Sequence, residues 1–288
     1  EEEFGVFVAA RDDTALASSE VVTDDGDDFN VLAWPGDTEW SEFVTTQISK
    51  GVPELEALIG QKWPIDVPVD VREAYSPYLY GYAGWFSAVD HEIEIGEQLD
   101  QEVMLHELSH AWFNREWFKE RWLSEGFAQV YSNMAVDELD GNPFLPDPVS
   151  PTDPGKVTLN DWSSPTFSTN GTDDRERFGY NAAFSVVKKI VDEVGVEKMQ
   201  EVLELVASGE LVYEGDVTRE DLNLITDWKR FLDLVELVGG SEDAAALMEK
   251  YVLAGRDKNL LDDRAAALEL YVALDEHGDE WAAPLVVR

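Results

Sequence analysis

His106-Glu107-Leu108-Ser109-His110 sets two imidazoles four residues apart, with a carboxylate beside the first. On an α-helix four residues make about one turn, so both rings project from one face and can reach a single ion. Leu105, Leu108 and Trp112 recur at helical spacing beside them and form a stripe that can anchor one side of the helix to a core while the histidines face a cleft. Asp100 is a good N-cap for this helix, and the pattern predicts that it ends near Asn114. A catalytic zinc takes three protein ligands and keeps a further position for water, and Glu107 lies where it can take that water's proton. His106 and His110 are therefore candidate ligands for one Zn2+ per chain, and Glu107 is the candidate general base. Taken alone, the same five residues also fit a helix with two satisfied surface histidines.

The next informative stretch is Arg121-Trp122-Leu123-Ser124-Glu125-Gly126-Phe127-Ala128-Gln129. Together with His106 to Phe113 it resembles the aminopeptidase N family of gluzincin zinc metallopeptidases. That family pairs a histidine-glutamate-leucine-alanine-histidine helix ending in tryptophan-phenylalanine with a tryptophan-leucine-x-glutamate-glycine-phenylalanine-alanine helix. The resemblance implies that Glu125 is the third ligand, that the fold is a thermolysin-like catalytic domain, and that a zinc-activated water hydrolyses peptide bonds. Two histidines and a carboxylate are also the chemically expected set for such a zinc. Fourteen residues separate His110 from Glu125, where roughly eighteen is usual in the family, so residues 114–120 are expected to form a polar connection that has lost about one helical turn. Gln129, one turn after Glu125, is a candidate hydrogen-bond partner for a ligand.

Two further comparisons refine the site. Phe178-Gly179-Tyr180-Asn181 resembles the family's tyrosine segment without its lysine-glycine, which implies that Tyr180 donates to the oxyanion of the transition state. The family's glycine-x-methionine-glutamate-asparagine strand, which grips the substrate backbone and its free amine, has as its counterpart Gly81-Tyr82-Ala83-Gly84-Trp85-Phe86-Ser87, with no glutamate. Gly84 and Trp85 stand as substrate-binding candidates on an edge strand. Glu92 and Glu94, with Asp90, are the nearby carboxylates that could meet an amine, and a solvated acidic strand face is the competing reading for each. Aminopeptidase action is thus implied by resemblance while its amine recognition is in doubt. The alternatives are an endopeptidase of the same fold and a catalytically silent zinc-binding module, although a purely structural zinc has no use for a base at Glu107.

Outward from the motifs, the pattern is α+β. Residues 4–10 and 20–33 read as strands, the latter folded about the acidic turn 24–28; residues 39–59 read as a helix stopping at Gly60, and 65–73 as another strand. Residues 85–87 and 92–95 form a hairpin with Ile93 and Ile95 on one face and Glu92 and Glu94 on the other. A second helix covers about 123–137. Residues 142–156 hold five prolines, and later segments at 178–194, 197–208, 218–237, 244–253 and 260–274 are helical in pattern. The expected organisation is an α+β lobe with a small mixed sheet and the zinc helices over 1–138, a loop-rich connection over 139–175, and a helical carboxy-terminal lobe over 176–288.

Composition bounds the partners. With 21 basic against 61 acidic residues the formal charge is −40, which argues against nucleic acid and anionic lipid. Peptide or protein substrates are expected. The absence of cysteine excludes disulfides, thiol catalysis and cysteine-ligated zinc. No apolar run is long enough for membrane insertion. The acidity fits either salt adaptation or a highly solvated extracellular or cell-surface protein, and the abrupt ends read as a piece of a longer chain with additional domains. Asn170-Gly171-Thr172 matches a glycosylation sequon.

Overall fold

The computed structural model describes residues 15–79, 81–150, 152–164, 172–209 and 225–278. The expected strand at 4–10, the start of the sequon at Asn170 and Gly171, and the segment 218–224 lie outside these residues. Two compact units are distinguished, one made of Glu1–Trp112 and Tyr131–Phe144, the other of Phe113–Val130 and Leu145–Arg288.

The first unit is built on a five-stranded mixed sheet of order β1-β2-β3-β5-β4. Strands β1 (Ala17–Val22) and β2 (Asp28–Ala33) form an antiparallel hairpin. Its turn is closed by the Thr23 hydroxyl donating to Asp27 at 2.6 Å and by Gly26 at φ 98°, a conformation that costs glycine little. Helix α1 (Thr38–Ile59) then carries the chain to β3 (Val69–Ala74), which lies parallel to β2. Helix α1 starts where the Asp37 side chain accepts from the Trp40 amide and stops at Gly60 in the left-handed region, the expected stop. Strands β4 (Gly84–Ser87) and β5 (Glu92–Gly96) make the expected hairpin, with β5 parallel to β3 and β4 at the sheet edge.

Alternation sorts the sheet residues. Phe29, Val31, Val69, Val71, Ile93 and Ile95 are buried, while Asn30, Asp70, Arg72, Glu92 and Glu94 occupy the alternate positions. Helix α1 packs on β1 and β2, and helix α2 (Gln101–Ser109) packs on β4, β5 and α1. The Trp40 indole N–H donates to the Gly96 carbonyl at 3.0 Å, tying α1 to the end of β5. At Gly51 a Cβ would overlap the Leu105 side chain, so this glycine is what lets α1 approach α2 so closely.

Helix α3 (Arg121–Glu138) contributes Arg121–Val130 to the second unit and the residues from Tyr131 onward to the first. Among the described residues the second unit also holds the helices α4 (Thr172–Val194), α5 (Val196–Ser208), α6 (Trp228–Leu237), the short α7 (Ala244–Leu247) continued by a π-turn at Met248–Val252, and α8 (Gly255–Gly278). The helix expected over 218–237 begins, among the described residues, only at Trp228. Asp227 caps it, accepting from the Lys229 and Arg230 amides, and Thr226 is drawn out of helical geometry by backbone bonds to Trp117 and Lys119. No helix of the described residues is long and apolar enough to cross a membrane. The observed class is α+β with a small mixed sheet and helices.

Candidate metal centre

Asp100 accepts from the Glu102 amide at 3.0 Å and the Val103 amide at 3.3 Å and so starts α2 as expected. The helix ends earlier than its apolar stripe predicts. From His110 onward the amides turn to the carbonyl three residues back, His110 to Glu107, Ala111 to Leu108 and Trp112 to Ser109, and the last turn tightens. Trp112 is nevertheless fully buried, edge-on to Trp63 at 5.2 Å, so the stripe anchors the helix even where α-geometry has ended. His106 is 9% exposed and Glu107 8% exposed.

The two imidazoles meet edge to face, with Nε2 of His106 and Nε2 of His110 3.2 Å apart. A tetrahedral ion with metal–nitrogen bonds of about 2.0–2.1 Å sets its ligands roughly 3.3 Å apart, so this spacing is one that zinc requires. One potential ligand atom from each of His106, His110 and Glu125 lies within 4.8 Å of the others. Among the described residues this is the one group of three or more such side chains placed to hold an ion. The two-nitrogen, one-oxygen set, the spacing and the burial all fit zinc.

Gly84 of β4 faces this helix. A Cβ there would stand 2.8 Å from Glu107 Cγ, 3.0 Å from Glu107 Oε1 and 3.0 Å from Ile95 Cδ1. By alternation Phe86 shares this face, and its ring stacks on His110 at 6.4 Å. Trp85, Glu92 and Glu94 belong to the other face: Trp85 pairs in register with Glu94 and lies against Tyr82 at 4.6 Å, and Glu92 accepts from Arg72 at 3.0 and 3.1 Å. Asp90 sits in the turn and accepts from Ser87 at 2.7 Å. The structure thus brings Gly84 to Glu107 and does not bring Trp85, Glu92 or Glu94 to that side.

The short connection before α3 is less polar in effect than its composition suggests. Phe118 is fully buried among Phe113, Phe127 and Phe231, with ring centroids 5.2 to 6.4 Å away. Backbone bonds from Lys119 to Thr226 and from Thr226 to Trp117 tie it down further. At Gly126, beside Glu125, a Cβ would stand 2.6 Å from Val187 and 2.9 Å from the Ala183 carbonyl, which records how tightly α3 meets α4. Gln129 lies one turn beyond Glu125 on α3.

Around Glu125 stands a group of which reading by motif singled out Tyr180 and missed the rest. Arg121 donates from Nε to Glu125 at 3.4 Å, from Nη1 and Nη2 to the two Glu176 oxygens at 3.0 and 2.8 Å, and from Nη2 to the Tyr180 hydroxyl at 3.0 Å. Its guanidinium carbon lies 4.1 Å over the Trp162 ring, and the Trp162 indole donates to Glu176 at 2.8 Å. Burial works against the charge of Arg121, but Glu176, Tyr180 and Glu125 more than offset it and hold its pKa above the ordinary arginine value. The local signal was present: Arg121 and Glu125, like Glu176 and Tyr180, are i,i+4 pairs on helices.

No protein-family model matches this sequence, and no curated protein matches it. Solved structures do. The chain is similar to an M1 zinc metallopeptidase from Deinococcus radiodurans with 15% identity and a TM-score of 0.53, over 82% of this chain and 51% of that one. A glutamate-to-alanine mutant of an M1 zinc metallopeptidase from the same organism gives 16% identity and a TM-score of 0.52, over 84% and 52%. A two-domain M1 zinc metallopeptidase mutant bound to L-arginine gives 15% and 0.53, over 83% and 51%. The chain therefore spans about half the length of these structures. At such identities the likeness is one of fold.

Proposed function

We propose that this chain is the catalytic part of a zinc metallopeptidase with a thermolysin-like arrangement, in which His106, His110 and Glu125 hold one zinc ion and Glu107 is the general base. The observation that carries the reading is the convergence of those three ligand groups, with Glu107 between the histidines, on a fold shared with M1 zinc metallopeptidases. Zinc, when bound, supplies Lewis acidity that polarises a carbonyl and acidifies a water. Glu107 takes the proton of the attacking water and hands it to the leaving amine. Tyr180 donates its hydroxyl proton to the oxyanion that forms as the carbonyl is attacked.

Substrate binds as an extended strand along β4. Among the described residues β4 pairs with β5 alone and lies at the end of the sheet order, so its outer backbone groups can take one more strand, and Gly84 leaves room beside Glu107. In this reading strict dependence on a free amino terminus is relaxed. Gly84 has no side chain to meet an amine, Glu92 is engaged by Arg72, and both Glu92 and Glu94 lie on the face away from Gly84.

The test is metal analysis joined to peptide hydrolysis. Expected are one zinc per chain, its loss from His106→Ala, His110→Ala and Glu125→Ala, and retention of zinc with at least a ~100-fold loss of hydrolysis in Glu107→Gln. A folded chain that binds no zinc at neutral pH, or a Glu107→Gln variant as active as the wild type, sinks the reading.

A further inference from the structure

We propose that Arg121 is a positioning residue for Tyr180: clamped by Glu176 and Trp162, it donates to the tyrosine hydroxyl and so dictates that this hydroxyl presents its own proton to the oxyanion. The inference rests on the zinc peptidase reading above and assigns to that site a residue its motifs do not contain.

Donor and acceptor chemistry sets the direction of this bond. A guanidinium has five N–H donors and no acceptor, so in the 3.0 Å contact between Arg121 Nη2 and the Tyr180 oxygen the tyrosine must be the acceptor. The hydroxyl proton is then not spent in that bond. A hydroxyl that accepts from a cation is also polarised into a stronger donor. For a group whose task is to donate to a developing negative charge, both effects work in the useful direction.

The arginine is held so that it can do little else. Glu176 grips it with both oxygens at 3.0 and 2.8 Å, a two-bond geometry that fixes the plane of the guanidinium. Trp162 stacks on that plane at 4.1 Å and is itself fixed by its 2.8 Å bond to Glu176. At Gly179 a Cβ would overlap the Trp162 indole, so a glycine immediately before Tyr180 is what allows this ring to lie so close to α4. The Trp162 and Tyr180 rings then meet edge-on at 5.0 Å. Arg121 side-chain exposure is 14% and Glu176 side-chain exposure 14%, so the pair is shielded from the screening that weakens surface ion pairs.

The weaker 3.4 Å contact from Arg121 Nε to Glu125 offers a rival role, in which Arg121 merely steadies a metal ligand. The experiment separates the two. In the zinc-loaded enzyme, kcat, KM and zinc content are measured on a peptide substrate for Arg121→Met, Tyr180→Phe and the double variant. Arg121→Met is expected to lower kcat about 10-fold or more with KM within twofold and one zinc retained, and to lower it less than about twofold further once Tyr180 is already phenylalanine. Full multiplication of the two single losses overturns the proposal, as does loss of zinc from Arg121→Met. Glu176→Gln keeps the arginine and loosens its clamp. It should reduce kcat about threefold, again only when Tyr180 is intact, and it decides the matter where Arg121→Met fails to fold; an unchanged kcat in Glu176→Gln then counts against the proposal. If Tyr180→Phe alone leaves kcat untouched while Glu107→Gln abolishes it, the role of Tyr180 and this proposal fall together and the zinc peptidase reading stands.

Discussion

Replacing Gly84 by alanine adds one methyl group at the point where the edge strand meets Glu107, the proposed general base. The new Cβ would stand 2.8 Å from Glu107 Cγ, 3.0 Å from Glu107 Oε1 and 3.0 Å from Ile95 Cδ1. Non-bonded carbons rest at about 3.5–4.0 Å, so relief requires a displacement of roughly 0.7–1 Å, shared between β4 and the Glu107 side chain. Ile95 is 1% exposed and packed in the core, which leaves Glu107 as the more yielding partner. Overpacking of this kind costs about 1–3 kcal/mol of stability. Its effect on chemistry is larger, because a misplacement of about 1 Å in a reacting group can cost ~100-fold in rate. The expected outcome for Gly84→Ala is a folded protein with one zinc per chain and kcat/KM reduced about 100-fold, measured by peptide hydrolysis, metal analysis and thermal melting side by side. A folded, zinc-loaded Gly84→Ala enzyme that hydrolyses peptide at the wild-type rate would refute the reasoning, since neither the contact nor the assignment of the base could then be right.

Three other perturbations have defined outcomes. Burial first, and then the charge of Asp227, push the Glu120 carboxyl up to about 7 from 4.5. A raised carboxyl pKa in the folded state means that the stability it confers is complete below about 4.5 and is lost as pH rises through about 7. Glu120→Gln should therefore flatten the fall in stability between pH 5 and 8, by at most about 3 kcal/mol and by about 1–2 after allowing for the part of the carboxyl that still reaches solvent; parallel pH slopes in denaturant titrations of the two proteins would contradict this. Gly126→Ala forces a Cβ to 2.6 Å from Val187, so it should destabilise by about 1–3 kcal/mol and weaken zinc binding through Glu125, as read by melting and by competition with a chelator. Amino-blocked peptides should be cleaved within about tenfold of unblocked ones, equivalent to roughly 1.4 kcal/mol; cleavage confined to free amino termini, one residue at a time, would show that another carboxylate meets the amine, with Asp90 the first to replace because it lies in the turn beyond β4.

Much of the candidate site is local and could be read from the chain alone. The four-residue spacing of His106 and His110, the Asp100 cap and the Leu105-Leu108-Trp112 stripe all depend on helical periodicity, which is a property of neighbours in sequence. The alternation that sets Ile93 and Ile95 against Glu92 and Glu94 is local in the same way, and it already separated the buried from the polar face of β5. Glu125 as a candidate ligand was legible only through resemblance, because nothing in the fourteen intervening residues ties it to the histidines. The connection before Glu125 is packed through Phe118 against Phe113, Phe127 and Phe231, an aromatic packing across more than a hundred residues.

Tertiary structure alone decided the rest. Gly84 meets Glu107 because β4 pairs with β5 in one register and α2 packs on that sheet; a shift of one residue would have turned Trp85 towards Glu107 instead. Arg121 with Glu125 and Glu176 with Tyr180 are each one-turn helical pairs visible in the sequence, yet their union into a single cluster spans 55 and 59 residues and depends on how α3 packs against α4. Periodicity fixes which side of a helix or strand a residue occupies, since that follows from the geometry of the backbone. Which two sides face each other follows from close packing of distant elements, and for this protein that packing is what gathers Arg121, Glu176 and Tyr180 into one cluster.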